Sequence, residues 1–401
     1  MTASDPRPIH IPSPSDQGAM SVRSAPAQPA QRRIRAVFVR GGTSKGVFFH
    51  ARDLPADRAG RDRLFLSVMG SPDPYGRQLD GMGGGISSLS KVVVIGPPSR
   101  PDADVDYTFG QVAVDAALVD YAATCGNLAS AVGPFAYDEG LVRAEGDEAV
   151  VRIHATNTGK IIVARFHVAG GAAQVRGELE LPGVAGQGAP VRLEFLDPGG
   201  AGTGRLLPTG SPADELEIPG AGPVLASMVD AANPCVFVRA ADLGLTGTET
   251  PAGLDGDAGL RARLEAIRVA AGARMGTAAS PGSPKIAVVA QPAAAPLLDG
   301  RVSSAEAMDA NVRMISMGQA HRALPLTGAL CLAVAARIEG TVVHGIVAPD
   351  AQARGDLRIG TPSGVVPVAA VVDRQGDWRA RHATVYRTTR RLMEGAVLVP
   401  L

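Results

Sequence analysis

The sequence predicts an α+β protein assembled from two similar halves, each a set of strands around one buried helix, with a cleft between them. Three observations carry this expectation. Runs of β-branched and apolar residues recur at short intervals between glycine-rich turns, as strands do. Two stretches, Tyr121 to Phe135 and a second opening near Pro325, are dominated by small and apolar residues and read as buried helices. The order of strands and helix in the first half is then echoed in the second.

The elements follow in order from Arg35. RAVFVRGGTSKGVFFHARDLP is two apolar strands joined by Gly41-Gly42-Thr43-Ser44-Lys45-Gly46, a hairpin whose turn presents hydroxyls and an amine. A phosphate-binding loop would need a helix after such a turn, and here a strand follows, so nucleotide binding is disfavoured and a flexible hairpin tip stands beside it as the plain alternative. Ala59 to Met69 reads as a short helix. A glycine-rich loop then leads to Lys91 and four consecutive β-branched residues, Val92 to Ile95. DVDYTFGQVAVDAALVDY and EAVVRIHATNTGKIIVARFHV supply the remaining strands of the first half. In the second half MVDAANPCVFVRAADLG is strand and turn, Leu260 to Gly272 an amphipathic helix, and PKIAVVAQP a buried strand. HRALPLTGALCLAVAARIEG is the second buried helix, with Pro325 in its first turn and Gly340 closing it.

Composition narrows the classes of function. At 401 residues, the chain can bury the cores of about two to three domains. Lys plus Arg and Asp plus Glu balance at 39 each, so no global field attracts nucleic acid or an acidic membrane. An anionic ligand must be met by a local site. Cys125, Cys235 and Cys331 leave one thiol over in any bridging scheme and lack zinc-ligand spacing, which points to reduced thiols in the cytoplasm. The Pro-, Ser- and Ala-rich segment before Arg35 reads as a disordered tail, and the sequence offers no run of membrane-spanning length.

Two residues stand where chemistry is favoured. Cys125 precedes the first buried helix, where unpaired N–H groups and the macrodipole favour thiolate and bind carboxylates; the alternative is a thiol that only packs. Lys91 opens an apolar strand. It is either a gatekeeper against edge pairing or a base whose ammonium form is disfavoured by desolvation. Asn127 is either a substrate ligand or a helix cap. Ser87, Ser88 and Ser90 divide between anion binding and fixing the loop, the loop role falling to at least one. His321 is either structural or a cleft residue. Cys235 and Cys331, in apolar strand and helix patterns, belong to the core.

CGNLASAVGPFA resembles the CGNGAR segment that opens the first central helix of diaminopimelate epimerase, and Asn233-Pro234-Cys235 resembles that family's Asn-Pro-His segment. More closely, RGGTSKGVFF, MGSPDPYGRQLDGMGGGISSLSK, DVDYTFGQV, CGNLASAVG, MGTA, SMGQAHRALPLTGA and RRLMEG resemble the PrpF family of 2-methylaconitate isomerases, in order, from Arg35 to Leu401. That likeness implies two diaminopimelate-epimerase-like domains, each a mostly antiparallel sheet rolled around a helix. Residues 1–34 would be the tail, 35–185 with 386–401 the first domain and 186–385 the second, the last strand returning to the first domain. It implies no cofactor and no metal. It also implies a catalytic pair of Lys91 and Cys125. Thr43, Ser44, Lys45, Ser88, Gly126, Asn127, Met317, Gly318, His321 and Thr327 would bind substrate.

The epimerase needs two opposed thiols, but here the second helix opens with Leu324-Pro325-Leu326-Thr327 and Cys331 lies deeper, so two-thiol racemisation is not expected. The expected reaction is isomerisation of a small unsaturated di- or tricarboxylate by removal and return of an allylic proton. 2-Methylaconitate in propionate breakdown is the first candidate. 4-Oxalomesaconate tautomerisation and 3-methylitaconate isomerisation are alternatives, and the resemblance also admits a homodimer and a functional link to a methylcitrate dehydratase. A hypothesis of another class, a non-catalytic carboxylate-binding accessory protein of a dehydratase, would use the same binding motifs.

Overall fold

The computed structural model of the chain describes residues 31–121, 124–219, 222–277, 283–316 and 318–400. The first half comprises β1 (Gln31–Gly41), β2 (Ser44–His50), α1 (Arg58–Met69), β3 (Lys91–Gly96), β4 (Val105–Val112), α2 (Gly126–Asp138), β5 (Glu148–Ala155), β6 (Lys160–Ala169) and β7 (Val191–Leu196). The second comprises β8 (Asp214–Ile218), β9 (Gly222–Asp230), β10 (Pro234–Arg239), α3 (Ala258–Arg274), β11 (Lys285–Ala290), β12 (Ala310–Ser316), α4 (Leu326–Ala335), β13 (Asp356–Thr361), β14 (Gly364–Gln375) and β15 (Asp377–Arg387). A last strand, β16 (Thr389–Pro400), returns along β1.

The suggested duplication appears as a repeated pairing pattern. β1 is antiparallel to β2, β2 parallel to β3, β3 antiparallel to β4, β4 parallel to β5, and β5, β6 and β7 are successively antiparallel. The same sequence of orientations runs through β9, β10, β11, β12, β13, β14 and β15. β16 flanks β1 as β8 flanks β9. β7 also pairs with β15, so the sheet is continuous across position 185/186, where the sequence reading divided the chain.

Each half places its central helix between the fourth and fifth strands of this pattern. Ten of the thirteen residues of α2 and nine of the ten of α4 are buried, which explains why neither shows an amphipathic stripe. One apolar cluster encloses both, from Phe48, Ile153 and Leu193 in the first half to Phe237, Val312 and Val385 in the second. The outer faces are covered separately: Leu64, Phe65 and Val68 of α1 pack on Val47, Phe49 and Val92, and Leu264, Ile267 and Ala271 of α3 on Val236, Ile286 and Val288. Each fully buried Val, Leu, Ile or Phe side chain among these contributes about 1.5–3 kcal/mol.

Local chemistry sets the helix limits. Asp57 caps α1 through the Gly60 N–H at 2.7 Å and Gly70, at φ +73°, ends it. Asp257 caps α3 through the Leu260 N–H at 2.9 Å. Three sequence boundaries shift. Gln31–Ile34 already pair with Val397–Pro400, so the strand begins before Arg35; residues 1–30 lie outside the described residues. Pro325 is the N-cap of α4 rather than a residue of its first turn. That helix stops at Ala335, and Gly340, at φ +88°, sits beyond it. Among the described residues no helix is long and apolar enough to cross a membrane.

Candidate active site at the facing helix ends

The two central helices meet at their N-termini. A Cβ built on Gly126, the first residue of α2, would lie 2.4 and 2.7 Å from the Leu326 methyl groups at the first residue of α4. Any larger residue at 126 would force the Leu326 side chain to move. Unpaired N–H groups of both helices therefore converge on one region, the arrangement that favours an anion with more than one carboxylate.

Cys125 is the N-cap of α2, in extended conformation, half-buried, and its side chain makes no capping bond. Its carbonyl accepts the Tyr107 hydroxyl at 3.0 Å, which fixes the backbone beneath the thiol. Burial, and then the nearby Cys125, push the Tyr107 phenol well up, so it remains a neutral donor. The β1–β2 turn closes over the same helix start. A Cβ on Gly41 would meet the Asn127 carbonyl oxygen at 2.6 Å, and one on Gly42, at φ +52°, the Asn127 Oδ1 at 2.4 Å. Asn127 Nδ2 donates to Thr43 Oγ1 at 3.0 Å, and Ser44 is buried beside the turn.

Asn127 Oδ1 in turn accepts from Arg387 Nε at 3.0 Å. Arg387, 5% exposed at the end of β15, also donates to the Tyr386 carbonyl at 2.8 Å. Burial lowers its pKa to about 10, against the opposing effect of Cys125. This residue was missed in the sequence reading. The available signal was alternation: Ala383 and Val385 face the core, and the next position on that face is an arginine. Cys125 rather than Asn127 is the helix cap, and Asn127 joins the hairpin, α2 and the crossing from β15 to β16.

Lys91 opens β3 on the face that carries Val93 and Ile95 toward α2. It is 8% exposed, donates to Gln111 Oε1 at 2.5 Å and lies 5.0 Å from the Phe109 ring centroid. Gln111, the facing residue of β4, holds the loop below by donating to the Ser87 and Ser90 carbonyls at 3.0 and 2.8 Å. A Cβ on Gly46 would sit 2.9 Å from both the Lys91 carbonyl and Leu128 Cδ1, so the backbone at Lys91 runs close to the first turn of α2. Ser90 is a loop residue: its hydroxyl donates to the Val112 carbonyl at 2.9 Å and accepts from the buried Gln78. Ser88 is half-buried in the short turn before it.

Not every expected residue gathers here. Lys45 stands on the opposite face of β2 from Ser44, Gly46 and Phe48, its ammonium 5.7 Å from the Phe38 ring centroid, because strand residues alternate sides. In the second half, His321 Nδ1 accepts the Ala323 N–H at 3.0 Å just before α4. Burial keeps its ring below the ordinary histidine range; the Ala323 bond opposes this and Lys285 adds to it. Thr327 is the second residue of α4 and Gly318, at φ +74°, forms the preceding turn; Met317 lies outside the described residues. Cys235 and Cys331 are wholly buried, with Cys331 donating to the Val229 carbonyl, so neither opposes Cys125 across the cleft. Among the described residues no group of His, Cys, Asp and Glu could hold a metal ion.

This geometry can be set beside known proteins. The model of the PrpF protein family matches residues 31–400. The chain belongs to the PrpF family. It is 43% identical over 378 residues to the 3-methylitaconate isomerase of Eubacterium barkeri, covering 92% of this chain and 98% of that one. It is 41% identical to the 2-methyl-aconitate isomerase of Shewanella oneidensis, covering 93% and 98%, and 41% identical to the (4E)-oxalomesaconate Delta-isomerase of a Novosphingobium species, covering 90% and 96%. The crystal structure of a methylitaconate-delta-isomerase superposes with a TM-score of 0.86 at 42% identity, covering 92% of this chain and 96% of that one. A hydroxyproline epimerase from Agrobacterium vitis shares the fold at a TM-score of 0.51 and 14% identity, covering 93% and 95%. The PrpF chain is therefore an α+β protein of the epimerase-like fold, as the resemblance implied.

Proposed function

We propose that this PrpF protein is an isomerase of a small unsaturated polycarboxylate, with 2-methylaconitate as its substrate. The feature that supports the reading is the convergence of two helix N-termini, with Cys125 capping one of them and Lys91 on the strand face turned toward that helix. Relatives named for 2-methylaconitate, 3-methylitaconate and oxalomesaconate isomerisation match 90–93% of the chain. Those reactions have one step in common, the movement of a proton beside a carbon–carbon double bond conjugated to a carboxylate.

In this reading the Lys91 amine takes an allylic proton and becomes an ammonium, while the electron pair spreads into a dienolate. The former double bond then has single-bond character and can rotate, and the proton returns to the same carbon for a cis–trans change or to the far carbon of the former double bond for a shift. Gln111 aims the Lys91 side chain. The helix N–H groups and the Thr43 and Ser44 hydroxyls hold carboxylates and the charge that develops on them. Cys125 acts as second acid/base or seats the substrate. Two expectations accompany this reading: a cytoplasmic location, in keeping with three unbridged thiols, and a functional pairing with a methylcitrate dehydratase.

Incubation with 2-methylaconitate, 3-methylitaconate or oxalomesaconate in deuterated water, followed by proton NMR, tests the proposal. One of these acids is expected to change isomer and take up deuterium, and Lys91→Ala to lower turnover by about 10²–10⁴-fold, the usual contribution of a general base. An accessory binding protein would retain affinity without isomer change or label. Full turnover by Lys91→Ala would remove Lys91 from the role of base.

A further inference from the structure

The repeated pairing pattern allows residues of the two halves to be matched by position in the sheet. β2 and β3 are a parallel pair after the first hairpin, and β10 and β11 are the corresponding pair after the second. β3 begins with Lys91 and β11 begins with Lys285. In β3, Val93 and Ile95 belong to the cluster around the central helices, while Val92 and Val94 face α1. In β11, Ala287 and Val289 belong to that same cluster, while Ile286 and Val288 face α3. Alternation thus puts Lys91 on the α2 face and Lys285 on the α4 face.

The strands opposite extend the correspondence. Lys91 faces Gln111 across β3 and β4. The register of Ile286 with Ile315 brings Lys285 beside the Ser316 end of β12, from which the chain turns through Gly318 to His321 and α4. Lys285 is close enough to His321 for its positive charge to lower the ring's proton affinity. The first residues of α2 and α4 are themselves in contact, so both lysines begin strands whose inner faces pack on one pair of touching helices.

We propose that Lys285 is a specificity-determining residue of this site, the second half's counterpart of Lys91, which binds the additional carboxylate of a tricarboxylate substrate at the start of α4. This inference rests on the isomerase reading for its substrate class. The two lysines are not equivalent in surroundings: Lys91 lies against Phe109 and Gln111, whereas Lys285 lies near His321, whose ring is held below the ordinary histidine range by burial, with Lys285 adding to it. A dicarboxylate can be held by the two helix ends alone. A third carboxylate needs a third positive partner, and Lys285 supplies it on the side away from Cys125.

The test compares the full-length wild type, Lys285→Met and Lys285→Arg by calorimetry with two saturated acids that cannot react, propane-1,2,3-tricarboxylate and methylsuccinate. Lys285→Met is expected to weaken the tricarboxylate about ten- to hundred-fold, the range for a lost charge-assisted bond, and methylsuccinate less than about threefold. Lys285→Arg should restore most of the difference, and Lys285→Met should raise the His321 titration midpoint seen by NMR. Equal weakening of both acids, or no change in either, overturns the proposal. Should Lys285→Met fail to fold, labelling of the wild type decides: the tricarboxylate must protect Lys285 from reductive methylation read by mass spectrometry, and absence of protection refutes the assignment. These readouts do not need turnover. Wild type inert toward every unsaturated acid would sink the isomerase reading, whereas an active wild type with unaltered selectivity in Lys285→Met would sink only this one.

Discussion

Arg387 offers the most exacting test of how this site is held. Among the described residues its guanidinium donates to Asn127 Oδ1 at 3.0 Å and to the Tyr386 carbonyl at 2.8 Å, and it is almost wholly buried. Arg387→Met removes the charge but strands both acceptors, each at about 1–3 kcal/mol, and relief of the desolvated cation offsets part of this. The expected loss of stability is roughly 2–4 kcal/mol. Asn127→Leu alone strands the Arg387 Nε donor. When both are replaced, donor and acceptor vanish together, so the double variant should be less destabilised than the sum of the singles by about 1 kcal/mol or more. Urea denaturation of the four proteins measures this cycle, and turnover measured alongside should fall in each variant because Asn127 also holds Thr43. Effects that add within about 0.5 kcal/mol would refute the idea that Arg387 and Asn127 act as one joint.

Two further outcomes follow from the packing and electrostatics. Glu139, at the end of α2, binds Arg35 at 2.8 Å, His50 at 2.9 Å and Arg391; burial pushes its carboxyl up, but these partners outweigh burial and hold it low. A depressed carboxylate stabilises the fold above its unfolded pKa of about 4.3 and loses that contribution as pH falls through the folded value. Stability curves of wild type and Glu139→Gln should therefore separate above about pH 5 and converge in acid, and a gap independent of pH would disprove the charge-based account. Gly41→Ala would drive a methyl group to 2.6 Å from the Asn127 carbonyl oxygen, which is backbone and cannot swing away. We expect about 1–3 kcal/mol of destabilisation and a lower melting temperature, with Gly256→Ala, which meets nothing within 4 Å, as the unaffected control.

The readable part of the site was the part written in contiguous sequence. Cys125 ahead of small helical residues, Lys91 ahead of four β-branched ones, and the Gly41-Gly42 turn each carry their local geometry in neighbouring residues, and the structure places them as expected. Lys45 was misleading because a turn motif does not say which strand face its last residue takes; one residue of alternation put it against Phe38. Alternation marks Arg387 as core-facing, but its partner is not legible, because that depends on a crossing between strands that meets Asn127 from 260 residues away.

By itself, the sequence determined that the chain is α+β, that it holds two buried helices, that its charges balance, and that a reactive thiol could stand at a helix start. These are local or compositional properties, set by side-chain periodicity and by what an unpaired N–H group favours. Only the tertiary structure decided that the halves repeat one pairing order, that Gly126 and Leu326 bring the two helix ends into contact, and that Lys285 occupies in the second half the place of Lys91. Those facts arise from long-range strand register, in which a shift of one residue would turn each lysine away from its helix.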